Sequence, residues 1–163
     1  MFTLKPISEE SVTLAMEKAV RYRLLNEPSA AESICLDILE IEPENQDALV
    51  TLVLAMSDRI GKDYAVSDNR IQDFLARIAD DYKRNYYTGI VYERRAKALL
   101  NNGSTGYQSN IYEYFRQAMS WFEKAEDIRP HGNDEAILRW NGCARIITQN
   151  KLEPREMYND FLE

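Results

Sequence analysis

The sequence predicts an all-α protein, on three observations. Its 163 residues include only 6 Gly and 5 Pro and are rich in Ala, Leu, Glu, Arg and Lys, a composition that favours helix and supplies few chain breaks. Apolar residues recur three and four apart along most of the chain, which is the spacing of one helix face. No segment shows the strict alternation of a half-buried strand. This length suits one well-buried core and no linker interrupts it, so a single domain over 1–163 is expected.

Each element follows from local signals. Ser8 before Glu9 and Glu10 reads as an N-cap with an acidic first turn, and Val12, Ala15, Met16, Ala19, Val20 and Tyr22 form the first apolar stripe. Asn26 and Glu27 break that helix. Pro28 suits the first turn of a second helix, striped by Ala31, Ile34, Cys35, Ile38 and Leu39 and stopped by Pro43. Asn45 caps a third, with Ala48, Leu49, Leu52, Val53 and Met56 inward and Gly61 at its end.

After a polar loop, "SDNRIQDFLARIADDY" predicts a fourth helix carried by Ile71, Phe74, Leu75 and Ile78, its Asp80 and Asp81 reading as a solvated end. "NYYTG", Asn85 to Gly89, reads as a break before a fifth helix with Val91, Tyr92, Ala96, Leu99 and Leu100. "NNGSTGYQS" is the clearest loop, since Gly103 and Gly106 adopt backbone conformations closed to other residues. A long sixth helix ends near Ile128, "PHGND" makes a turn, and a seventh runs from about Asp134 to Thr148. The tail 152–163 restarts after Pro154 and has the composition for one or two helical turns.

Charge narrows the partners. With 27 Asp plus Glu against 20 Lys plus Arg the formal net charge is -7, which repels nucleic-acid phosphates and anionic lipid headgroups alike. No run approaches the roughly 18 apolar residues of a membrane span, and "MFTLKPISEE" lacks the apolar core of a secretory signal, so a cytoplasmic location is expected. Cys35 and Cys143 lie among apolar helical neighbours and read as small buried hydrophobes. "NGS" at Asn102 fits a glycosylation sequon but reads as a turn without an export signal.

Two segments resemble each other. "AESICLDILEIEP", Ala31 to Pro43, aligns without gaps to "AMSWFEKAEDIRP", Ala118 to Pro130. The pairs are Ala31 with Ala118, Cys35 with Phe122, Ile38 with Ala125, Ile41 with Ile128, and the two prolines. The first three positions share a helix face, and each proline forces a stop.

On these residues the chain resembles the tetratricopeptide repeat family, whose roughly 34-residue unit is a pair of antiparallel helices with A-x3-F…P in the second. Val12, Ala19, Tyr22, Ala31, Cys35, Ile38 and Pro43 fall on the pattern of a first repeat over about 12–45, with Ala15 and Cys35 in place of the usual aromatics. A degenerate second repeat, about 46–85, needs about six inserted residues near "IGKDYA" and lacks the proline. A third, about 86–132, follows a short slip at "NYYTG", carries Tyr92, Ala96, Leu99, Ala118, Phe122, Ala125 and Pro130, and needs about ten extra residues near "NNGSTGYQSN". The helix at about 134–148 would cap the array.

The resemblance implies a right-handed superhelical array of antiparallel hairpins whose first helices line a concave groove. It further implies a non-enzymatic scaffold that holds a helix, peptide or protein partner there. The groove-facing positions it assigns are Thr13, Met16, Val20 and Arg23, then Asp47, Val50, Leu54 and Ser57, then Ile90, Glu93, Lys97 and Leu100. A well-known subset of the family clamps a C-terminal carboxylate with Lys, Asn and Arg. Here those positions hold Met16, Val20, Thr51, Ile90 and Arg94, and only Arg94 matches. Exposed apolar surface of this kind marks a partner site, and an apolar helix or peptide of a partner protein is the expected ligand. The alternatives are a superhelix that closes on itself, or a cover formed by Met157, Tyr158, Phe161 and Leu162.

Catalysis has little to stand on. The one histidine, His131, sits in a turn beside Asp134 and Glu135 where polar caps are expected. Phosphate-cradling glycine motifs, H-E-x-x-H and a nucleophile elbow are all missing. Carboxylates on several helices lack the Glu-x-x-His partners of a bundle metal site, so no metal or other cofactor is expected. A further reading is a self-associating homo-oligomer or complex subunit using Tyr107, Tyr112, Tyr114, Phe115 and Trp121.

Overall fold

Pro28, Asn45 and Asp80 each start a helix, and these three starts set the order of the chain. The computed structural model describes residues 1–62, 68–103 and 108–155. A 3-10 turn at Glu9–Ser11 leads into α1 (Val12–Leu24), followed by α2 (Pro28–Ile41), α3 (Gln46–Asp58), α4 (Asp68–Ala76), α5 (Asp81–Asn101), α6 (Gln108–Asp127) and α7 (Glu135–Gln149). Among the described residues there are seven α-helices and no strand. Residues 156–163, with the expected cover of Met157, Tyr158, Phe161 and Leu162, lie outside the described residues, as do Gly106 and Tyr107.

Local chemistry explains most boundaries. Ser8 holds the cap position of the 3-10 turn without a side-chain cap bond, and Asn26 leaves α1 in the left-handed region at φ 60°. Pro28 lies in the first turn of α2, where its missing N–H has no partner to lose. The Asn45 side chain accepts the Ala48 N–H at 2.9 Å, and Asp80 Oδ1 accepts the Lys83 N–H at 2.7 Å. Each such cap contributes about 1 kcal/mol.

One predicted boundary is wrong. "NYYTG" does not break the chain: α5 runs unbroken through Asn85 to Gly89. The true break is 77–80, where Asp80 caps α5 instead of ending α4 as a solvated carboxylate. Gln46 secures that connection by accepting the Ala79 N–H at 2.9 Å. α5 therefore begins at Asp81. Gly89 is a contact glycine, since a Cβ there would lie 2.5 Å from Cε1 of Phe122.

Packing follows chain order. α1 packs on α2, α2 on α3, α3 on α4, α5 on α6 and α6 on α7, while α3 also touches α1 and α5. One core cluster joins α1 to α4 around Cys35, Ile38, Leu49, Leu52, Met56 and Ile71. A second joins α5 to α7 around Phe115, Ala118, Phe122, Ala125 and Cys143. Tyr87 packs against both. Gly61, at φ 79°, brings the end of α3 onto α5, where a Cβ would meet that of Ala98 at 2.7 Å.

The paired segments share their inward face. Ala31, Cys35, Ile38, Ala118, Phe122 and Ala125 are all fully buried, whereas Ile41 is half-buried and Ile128 exposed. Of the aromatic surface expected on α6, one residue belongs to the core and three are partly covered. Phe115 is buried, and Tyr112, Tyr114 and Trp121 are half-buried. Lying between α5 and α7, α6 covers two faces rather than one.

Candidate functional site

Val12, Met16 and Val20 are spaced i, i+4, i+8 on α1 and so fall in one row. Ala15 and Ala19 take the adjoining face, which packs into the core. On α3, Asp47, Val50 and Thr51 face that row, and together the two helices enclose an open concavity of about 760 Å³. Val20 remains 44% exposed, and Met16 and Val50 are half-buried. The expected groove residues Thr13, Met16, Val20, Asp47 and Val50 thus line one space.

The remaining expected residues do different work. Ile90 is 3% exposed and belongs to the core, so it is not groove surface, and Leu54 packs against the α5–α7 cluster. Arg23 donates through Nε to Asp58 Oδ2 at 2.7 Å. Arg94 reaches the other carboxylate oxygen at 2.8 Å, the Leu54 carbonyl at 2.9 Å and the Ser57 hydroxyl. Asp58 therefore ties α1, α3 and α5 together. Burial lowers the Arg94 guanidinium below its ordinary value, and Asp58 works against that shift.

Glu93 makes the second polar knot. Its side chain is 4% exposed and pairs with Lys97 and with Arg139 of α7 at 3.3 Å. Burial opposes the Arg139 charge, but Glu93 and Tyr86 overcome it and raise the guanidinium above its ordinary value. Arg94 and Lys97 also line a smaller cleft of about 300 Å³ at the ends of α3 and α5.

Comparison of the chain with protein-family models, curated proteins and solved structures gives no match. The site is therefore read from its own chemistry. Its upstream half sets Val12, Met16, Val20 and Val50 among polar and acidic side chains; in its downstream half the carboxylates are paired with cations. Sequence reading missed Asp58 and Arg139. Asp58 continues the Val50–Leu54 row of α3 by one more turn, a signal that was there to be used. Arg139 lies on α7, and nothing local links it to Glu93.

The described residues contain no group of three or more His, Cys, Asp or Glu side chains placed to hold a metal ion. His131 is exposed in the turn before α7. Among the described residues no helix is long and apolar enough to cross a membrane.

Both cysteines are fully buried, and each thiol is pushed up to about 12 by burial, with Glu32 adding at Cys35 and Glu93 at Cys143. The unfolded chain loses these protons first, near pH 9. Their contribution is thus complete below about pH 9 and is lost as pH rises toward 12, at about 1.4 kcal/mol per pH unit per thiol. Chemical unfolding at stepped alkaline pH is expected to show stability falling, with Tyr82 and Tyr87, also raised by burial, adding to the thiols, and the slope is expected to be reduced in Cys35→Ala plus Cys143→Ala. Iodoacetamide at about pH 8 should alkylate neither thiol in the folded protein and both after unfolding. Alkylation of the folded protein at the unfolded rate would refute the burial argument.

Proposed function

We propose that the chain is a non-enzymatic scaffold of the tetratricopeptide kind, holding an apolar helix or peptide of a partner protein in the concavity between α1 and α3. The observation that carries this reading is the concavity itself, with Met16, Val20 and Val50 facing solvent-filled space on adjoining first helices. Apolar side chains lining a space of that size gain from a covering partner.

The packing order supports the scaffold. In a stacked array each second helix touches its own first helix and the next one, and neighbouring first helices touch each other. α1, α2 and α3 have these contacts, and α3, α4 and α5 repeat them. The right-handed superhelix and the family kinship belong to the proposal. The polar half of the groove fits it too, because Arg23, Asp58, Arg94, Glu93 and Lys97 hold the helices in place instead of reading a ligand.

Photoreactive benzoylphenylalanine at the Val20 position is expected to capture a protein from source-cell extract that the same residue at Leu138 does not. Leu138 is 67% exposed on α7 and serves as the control surface. Identical adducts from both positions, or none from Val20 in a folded protein, would sink the reading.

A further inference from the structure

The rim of the α1–α3 concavity is acidic and uncompensated. Glu9, Glu17, Glu42 and Asp47 line it against the single cation Arg21. None of the four carboxylates has an ion-pair partner among the described residues, and Glu42 takes only a hydrogen bond from Asn45, at 2.7 Å. Further along the same groove the pattern reverses. Asp58 is held by Arg23 and Arg94, and Glu93 by Lys97 and Arg139. Within the groove, the carboxylates without an ion pair therefore lie around Met16, Val20 and Val50.

We propose that this groove selects a partner segment in which Lys or Arg residues flank apolar anchors. The inference rests on the scaffold reading above and adds the chemistry of the partner. An incoming segment covers Met16, Val20 and Val50 and lowers the dielectric around the rim, which strengthens each rim interaction. A basic flank then gains from complementarity, while an acidic flank meets like charge at every side. The row from Val12 to Val20 is about 12 Å long at 1.5 Å per helical residue, matching two turns of a docked helix. Anchors spaced i and i+3 or i+4, with basic residues before and after, fit that length. The protein's net charge of -7 steers such a segment toward the surface.

The test is selection from a displayed library of random peptides on folded wild-type protein. Peptides with paired apolar anchors and Lys or Arg flanks are expected to be enriched. Their affinity is expected to fall about tenfold on Glu17→Lys plus Asp47→Lys, and to weaken with added salt. The charge-reversed protein should instead enrich peptides with Asp or Glu flanks. Enriched peptides without charge bias, or with affinity unchanged by the reversal, would overturn the inference and leave the apolar groove standing. No enrichment, or peptides that bind equally to a folded Val20→Asn variant, would overturn the groove and the inference together.

Discussion

Phe122→Ala is expected to lower the unfolding free energy by about 3–5 kcal/mol, the range for deleting a large side chain from a packed core. Phe122 is fully buried, lies over the backbone of Gly89 and packs its ring 5.9 Å from that of Tyr86. It sits where α5 and α6 make the most extensive helix contact of the chain, so the vacated space cannot be filled by a surface residue. Denaturant unfolding followed by circular dichroism measures the loss, and a shift below about 1 kcal/mol would show that the ring does not hold the hairpin.

The same contact has a reciprocal signature at Gly89. Exchanging a mid-helix glycine for alanine normally stabilises by about 1 kcal/mol. Here the new Cβ must displace Phe122 Cε1, Cδ1 and Cζ, and overpacking of that kind costs about 1–3 kcal/mol. Gly89→Ala is therefore expected to be neutral to destabilising in the wild type and stabilising in a Phe122→Leu background. The change of sign in the double-mutant cycle is the diagnostic, because residues in contact are not additive.

This pair also marks where the sequence stopped being informative. Pro28, Pro43 and Asn45 act through their own backbone and side-chain chemistry, so the starts and stops they impose were legible without knowing any neighbour. Gly89 has two meanings, a weak point in a helix or room for a partner, and only Phe122, a distant residue in the chain, decides between them. Asp80 was misread for a related reason: a carboxylate near a helix boundary looks alike at the end of one helix and the start of the next. The family resemblance, not the spacing, assigned Met16, Val20, Asp47 and Val50 to a groove; these four line one concavity between α1 and α3. The fate of Arg94 and Glu93 was illegible because it depends on Asp58 and Arg139, which reach them from other helices, and Ile90 is taken into the α5–α7 core by residues distant in the chain.

Replacing the two ion-pair partners of Glu93, as Lys97→Met plus Arg139→Met, is expected to destabilise the fold by about 3–5 kcal/mol, because a carboxylate that is 4% exposed loses both pairs and keeps only the weaker field of Arg94, itself held by Asp58. Packing loss alone gives a smaller effect, since both cations are about two-fifths exposed and methionine keeps most of their apolar stems. Adding Glu93→Met separates the two causes. If stranded charge is responsible, the triple variant recovers to within about 1 kcal/mol of the parent, as buried ion pairs commonly do when exchanged for apolar side chains. If instead the triple variant stays as unstable as the double, the knot acts through shape and hydrogen bonding. The cost should fall on α7 first, because the Glu93–Arg139 contact ties α7 directly to α5. Hydrogen exchange in α7 of the double variant should accordingly rise ahead of that in α1 and α3. Exchange in α1 and α3 around the concavity should stay at the parent level, because neither Lys97 nor Arg139 lines it.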